Sequence, residues 1–506
     1  MRSTGRYRDR GLAKTIDWGL VICWLVLVLI GWANIYASIH SSDPSSIFDF
    51  ASRSGKQFVW MVTALGIAAM ILFVIPPRLY EGLSLPIYLF TIALLVAVIF
   101  LGIEVKGSRS WFAFGPVRFQ PAEISKIATS LLLATVMSQL GYRIGKFKDF
   151  IITAAIILVP MMIIVLQSET GSALVYVGFI FMLYREGLSG WLIFMIGMAI
   201  LTFILTLTFS PFVAVLVLAA VASLCICLYS DRFKWWLIIC VPVIAFFAFL
   251  PLLTDMLTEW IVGAERLAEI AAVHEAGGST DIPFIMKVKP MYILLGVTFG
   301  SIPFVAFQAF REGNRSTYLA ILAFLGGLLL VFSTDFLFND VLQDHQRKRI
   351  EVLLGMKEDP TGVGYNVNQS MIAIGSGGLT GKGFLNGTQT TLGFVPEQST
   401  DFIFCTIGEE WGFIGAAAVI LIYVFLIWRI IRNAERSREA FTRIYGYCVA
   451  CCIFMHLFIN IGMTIGLMPV IGIPLPFISY GGSSLWGFTA MLFIFIALDR
   501  NERKYF

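Results

Sequence analysis

The chain has 506 residues, 58% of them hydrophobic and only 13% charged, about half the charged share of an ordinary soluble domain. That balance excludes a soluble globule, and a formal net charge of +4 is too small to imply a nucleic-acid partner. Apolar runs of about 20 residues, enough to cross the hydrocarbon core of a bilayer, recur from end to end between short charged connections.

In chain order, the basic N-terminus (Arg2, Arg6, Arg8, Arg10, Lys14) precedes an apolar run from Trp18 to Ile35. The run lacks a small-residue cleavage site and reads as a retained first span with a cytoplasmic N-terminus. Further spans are predicted near 57–75, 85–103, 121–140, 151–167, 171–186, 190–209, 211–229, 235–253, 290–310, 317–335, 403–430, 445–466 and 484–498, about 14 in all. An even number returns the C-terminus to the cytoplasm. Alternate connections carry the basic residues, as the positive-inside rule requires: Arg143, Lys146 and Lys148, then Arg232 and Lys234, Arg311 and Arg315, Arg429 to Arg443, and Arg500 to Lys504. Residues 254–289, on the opposite side, are richer in acids.

The stretch between Asp335 and Asp401 is far longer than the roughly 2–8 residues that usually join helices. It reads as a large extracytoplasmic loop before the last three spans. Val341, Leu342, Ile350, Leu353 and Leu354 with Arg347, Lys348 and Arg349 predict a helix on the membrane surface. The glycine-dense segment from Gly375 to Gly387 allows tight turns and close backbone approach. It fails the phosphate-binding pattern G-x-x-x-x-G-K-[ST]: Ser376 stands at the first glycine and Gly383 at the hydroxyl position.

The eight cysteines lie in or beside apolar runs and read as small buried hydrophobes, including the C-x-x-C of Cys448 and Cys451. The four histidines, His40, His274, His345 and His456, are scattered and offer little for a metal centre. The polar stripe at the start of the fourth span is more informative. Arg118 is followed by Gln120, Glu123 and Lys126 at i, i+3 and i+6, near one helical face. A bland reading is a snorkelling Lys126 paired with Glu123. The functional reading is a cationic site for an anionic headgroup, with Glu123 holding Lys126 or helping to bind a metal. Asp401, at the end of the long loop, is either an N-cap carboxylate for the next span or a chemical group. Glu409 and Glu410 place two more carboxylates inside that span.

At these residues the sequence resembles the SEDS family (shape, elongation, division, sporulation) of bacterial cell-wall glycosyltransferases, in its RodA-type branch. Trp111 and Val117 to Lys126, Gln167 to Gly171, Asp344 to Arg349, Gly364-Tyr365, Gln369-Ser370, Ile372 to Leu379, Gly381 to Gly383, Gly387 to Gln389, Pro396-Glu397, Thr400 to Phe404 with Glu409-Glu410, and Pro474 to Gly482 carry the likeness. It covers residues 15–209 and 335–500. It implies a ten-helix SEDS-like core with about four inserted transmembrane helices: a cytoplasmic N-terminus over 1–17, core over 18–209, insert over 210–334, extracytoplasmic loop over 335–402 and core again over 403–506. Departures are Ala122 for the usual Ser, Ser168-Glu169 for Pro-Asp, and Gln398-Ser399 where a basic residue and His are common.

The resemblance implies a peptidoglycan glycosyltransferase that polymerises lipid II during cell elongation and cell-shape maintenance. Asp401 would be the catalytic base, and Arg118, Gln120, Glu123, Lys126, Glu409 and Lys56 the substrate-binding set. Undecaprenyl pyrophosphate would leave, with inversion at the anomeric carbon. A divalent cation, Mg2+ or Mn2+, is expected as the cofactor, with Asp401 and Glu123 its candidate ligands and no organic cofactor. The implied partners are a class B penicillin-binding protein (the transpeptidase) and the elongation machinery; the location is the bacterial inner membrane, with both termini cytoplasmic. The competing classes are a lipid II flippase or scramblase and a scaffold for the penicillin-binding protein. Asp401 lies at a loop end rather than at mid-bilayer, where transporter sites sit, which favours the enzyme.

Overall fold

The computed structural model describes residues 15–40, 46–105, 107–115, 117–229, 233–263, 289–336 and 363–504, with isolated positions between 338 and 354. The basic residues before Thr15, most of the acidic stretch over 254–289, Asp344-His345-Gln346 and most of the expected surface helix lie outside the described residues.

The chain divides into two compact units, Met1–Leu188 with Lys348–Phe506, and Ser189–Arg347. The first unit begins with α1 (Trp18–Ile39), α2 (Arg53–Phe73) and α3 (Ser84–Leu101). Asp17 caps α1, its Oδ1 accepting from the backbone N–H of Gly19 at 3.0 Å and Leu20 at 3.3 Å, and Ser52 caps α2 through Gly55 at 3.2 Å. Three short strands follow: β1 (Ile103–Val105), β2 (Ser108–Phe114) and β3 (Val117–Phe119). They form one antiparallel meander in which Ile103 pairs Trp111 and Ala113 pairs Arg118. Then come α4 (Pro121–Met137), α5 (Phe147–Leu166), α6 (Thr170–Val177) and α7 (Phe179–Arg185).

The second unit holds α8 (Gly190–Thr208), α9 (Pro211–Tyr229), α10 (Phe233–Val262), α11 (Pro290–Glu312) and α12 (Arg315–Phe336). Its own core gathers Val215, Leu218, Phe247, Leu294, Phe324 and Leu328. The chain then returns to the first unit with α13 (Val363–Ser376), α14 (Thr388–Thr391), α15 (Ile403–Arg436), α16 (Ala440–Thr464) and α17 (Gly482–Lys504).

Among the described residues 12 helices are long and apolar enough to cross a membrane, two fewer than the sequence count. Both missing members exist as helices. α4 has only 17 residues and carries Glu123 and Lys126 into the core. The expected span at 171–186 is split into α6 and α7. Within this nearly all-helical architecture the alternating polar and aromatic residues over 103–119 form the meander, so Arg118 lies on β3 rather than opening the fourth helix.

α16 and α17 are buried over most of their surface, as expected of central helices that carry little amphipathic contrast. α15 is broken at Gly412, whose φ of +66° and ψ of −165° are non-helical. The backbone groups freed there pair with the glycine-dense loop. Lys382 N–H donates to Glu409 O at 3.0 Å, Gly383 N–H to Glu410 O at 2.9 Å, and Phe413 N–H to Gly378 O at 2.9 Å. Gly381 is required in this contact: at φ +79° a Cβ would meet Glu410 O at 2.1 Å. The glycines therefore serve backbone-to-backbone docking within a bilayer-spanning fold, where each polar group needs a partner.

Candidate functional site

Asp401 sits half-buried at the end of the loop, one residue before the cap of α15. The residue assigned as that cap is Phe402. The backbone of Asp401 is firmly placed: Asn460 Nδ2 donates to Asp401 O at 2.8 Å and to Ile473 O at 2.7 Å. Its carboxylate lies above Gly472, where a Cβ would stand 3.4 Å from Oδ2.

The neighbours of Asp401 bring positive charge. Ser399 Oγ accepts from Arg53 Nη1 at 2.6 Å, Ser399 O accepts from Tyr480 N–H at 2.9 Å, and Ser479 Oγ donates to Thr400 O at 2.6 Å. The Arg53 guanidinium lies 5.8 Å from the centre of the Tyr480 ring, and Trp60 packs on that ring at 5.0 Å. Burial raises the Tyr480 phenol above its ordinary pKa, while the charges of Arg53 and Arg118 pull the other way. Arg118 and Arg53 are both exposed, and Arg53, bonded to Ser399, brings a guanidinium to the Asp401 segment at an accessible end of the helices. Gln398 ties the same loop to α1 and α14, donating to Ser38 O at 2.5 Å and Thr390 O at 2.8 Å.

The stripe on α4 separates into distinct roles. Gln120 precedes the helix and donates to Glu169 Oε1, which also accepts from Ser172 Oγ at 2.8 Å. Glu123 and Lys126 form an ion pair at 2.9 Å with side chains 4% and 1% exposed. Lys126 Nζ also lies 2.8 Å from His456 Nε2 and 4.7 Å from the Phe488 ring centre. Lys126 is thus enclosed, and its charge acts from behind the surface rather than by touching it. Lys56 is exposed near the start of α2; its neighbour Gln57 is buried and accepts from Gly481 N–H at 3.3 Å.

Glu409 lies on α15 and faces α14. Its side chain is fully buried and accepts from Lys382 Nζ at 2.7 Å, from the backbone N–H of Thr388, Gln389 and Thr390 at 2.7–2.9 Å, and from Thr390 Oγ1 at 2.8 Å. It fastens α14 to α15. Glu410 is buried in the same contact between loop and kink. Of the candidate cation ligands, Glu123 already faces the Lys126 ammonium, and among the described residues no three His, Cys, Asp or Glu side chains gather.

The family model for cell cycle proteins of the FtsW, RodA and SpoVE type matches residues 17–234 and 293–504. The chain belongs to this family. It is 30% identical over 441 residues to the peptidoglycan glycosyltransferase MrdB of Escherichia coli K12, covering 86% of this chain and 84% of that one. It is 29% identical over 500 residues to the peptidoglycan glycosyltransferase RodA of Treponema pallidum, covering 98% and 100%. A solved structure, described as showing the coordination of polymerization and crosslinking by a peptidoglycan synthase complex, shares the fold with a TM-score of 0.56 at 21% identity, covering 96% of this chain and 98% of that one. The chain is a multi-pass membrane protein of this family. The two matched ranges leave 235–292 between them, a shorter stretch than the 210–334 insert expected from the sequence.

Sequence reasoning missed Arg53, Tyr480, His456 and Asn460 as parts of one assembly. The readable signal was a histidine and an asparagine four residues apart within an apolar span, since buried polar groups in membrane helices are costly without a partner.

Proposed function

We propose that this chain is a peptidoglycan glycosyltransferase that polymerises lipid II in the bacterial inner membrane, with Asp401 as general base. The observation that carries the reading is the placement of Asp401, held through its backbone by Asn460 two residues after Ser399, which bonds the exposed Arg53. The family's curated members named above are peptidoglycan glycosyltransferases.

Asp401 accepts the proton of the acceptor sugar's 4-hydroxyl as its oxygen attacks the donor's anomeric carbon. The bond to the pyrophosphate breaks, and undecaprenyl pyrophosphate leaves as an anion that needs positive charge rather than a general acid. Arg118 and Arg53 supply that charge at the surface, and the enclosed Lys126 adds to the local potential. One carboxylate suffices for a single inverting displacement, unlike the carboxylate pairs of glycosidases. Gln120 and Glu123 order the base of the site, and Lys56 extends the basic rim. A divalent cation held by Asp401 together with the substrate's own phosphates would supply further positive charge there.

Both termini are assigned to the cytoplasm, which puts Asp401 on the outer side, and the partner is a class B penicillin-binding protein of the elongation machinery. The test is to purify the chain with that partner, the partner's active serine removed, and add labelled lipid II. A ladder of glycan strands on a gel is expected. No ladder from a folded, assembled complex that moves lipid II between leaflets would overturn the enzyme in favour of a transporter.

A further inference from the structure

His456 has no role in the proposed chemistry, yet its ring is fully enclosed and both nitrogens are engaged. Nδ1 lies 3.1 Å from Pro474 O and Nε2 lies 2.8 Å from Lys126 Nζ, while the ring edge meets Phe488 at 4.7 Å between centroids and an interplanar angle of 85°. These partners fix the tautomer. A carbonyl oxygen only accepts, so Nδ1 carries the proton; an ammonium only donates, so Nε2 presents its lone pair. A doubly protonated ring would point an N–H at Lys126. His456 is therefore a neutral relay with one donor and one acceptor, both used.

Asn460 lies four residues on, along the same face of α16, and donates to Ile473 O and Asp401 O. Pro474 and Ile473 are consecutive, so one helix holds two adjacent carbonyls of the segment returning to α17. The first is tied to the Lys126–Glu123 pair of α4 and the second to the backbone of Asp401. The titratable groups around the ring include Lys126 and, through it, Glu123, with the buried Cys452 thiol one turn back on the same helix.

Resting on the reading of Asp401 as base, we propose that His456 is a positioning residue: with Asn460 it keeps the buried Lys126 charge and the Asp401 backbone in fixed register. It touches neither substrate nor reacting atoms. Its loss lowers the rate of the chemical step while leaving the exposed arginines, and hence substrate affinity, in place.

The test compares wild type, His456→Gln and His456→Leu as full-length chains in the assembly that gives polymer from wild type, measuring initial rates across lipid II concentrations. Gln can accept from Lys126 and donate to Pro474; Leu can do neither. His456→Leu is expected to lose on the order of tenfold or more in kcat, as small misplacements of reacting groups do, with KM within about twofold. His456→Gln is expected to keep KM and recover most of kcat. A second readout is 15N NMR of the chain labelled at its four histidines. The signal lost in His456→Gln should be a neutral ring protonated at Nδ1. A fully active His456→Leu, a folded His456→Gln no better than Leu, or a ring protonated at Nε2 would overturn the proposal. If Leu fails to fold, the Gln rate and the tautomer decide. Asp401→Asn in the same series keeps the two claims apart: activity there removes the base, while His456 is judged by its own tautomer and rate ratio.

Discussion

Asn460 Nδ2 donates to the backbone carbonyl of Asp401 at 2.8 Å and to that of Ile473 at 2.7 Å, so one amide on a buried helix fixes the proposed base to the segment that returns beneath it. Replacing Asn460 with Leu leaves those carbonyls without their donor, at a cost of about 2–3 kcal/mol. A lower unfolding temperature and a reduced polymerisation rate are expected, and an unchanged rate at full stability would remove Asn460 from the site.

The Glu123–Lys126 pair is almost wholly buried, where breaking a pair costs more than never having had it. Lys126→Met should destabilise by about 3–5 kcal/mol because Glu123 is left charged and unpaired. The double variant Glu123→Gln with Lys126→Met should recover a large part of that loss in thermal melting. Additive losses would show that the two side chains are not coupled.

These two pairs show what the sequence makes legible and what it does not. Glu123 and Lys126 are three residues apart on one helix, so spacing alone brings them together. The link from Lys126 to His456 and the link from Asp401 to Asn460 join residues 330 and 59 positions apart, and no local pattern encodes them. The apolar runs announced nearly all the spans. The expected spans at 121–140 and 171–186 are present as helices but shorter, α4 with 17 residues and ionised side chains and the other divided into α6 and α7. Glu409 looked like a site residue because a carboxylate inside a span is costly; its partners turn out to be the amides of α14 and Lys382. The glycines of the outer loop were read as allowing tight turns and close backbone approach, and they pair the backbone freed at the Gly412 kink; which segment they approach is a long-range fact that spacing does not show.

Glu409→Gln should loosen the outer loop rather than weaken substrate binding. The neutral amide loses the ion pair with Lys382 and cannot match a carboxylate as acceptor for three backbone N–H groups. Hydrogen exchange at Thr388, Gln389 and Thr390 should speed up by on the order of tenfold or more, with KM for lipid II little changed. An altered KM with unchanged exchange would return Glu409 to the substrate.

At the opposite end of α1, burial pushes the Asp17 carboxyl up, but hydrogen bonds from Arg429 and Asn433 and the charges of Arg429 and Arg503 outweigh it and hold it below the usual aspartate range. A lowered folded-state value contributes stability above the unfolded value of about 3.9 and loses it as pH falls through the folded value. Thermal stability of wild type should therefore drop more steeply than that of Asp17→Asn as pH is lowered from about 5 toward 3. Asn retains the capping acceptor, so the difference isolates the ion pairs; parallel curves would contradict their role.

The most direct measurement is the polymerisation rate of Asp401→Asn beside its affinity for lipid II, both in the assembled complex. The substitution keeps size and hydrogen-bonding capacity but removes the proton acceptor. The account predicts binding within about twofold of wild type and a rate lowered by on the order of 10²–10⁴, the range for loss of a general base. A variant that polymerises at the wild-type rate would contradict it.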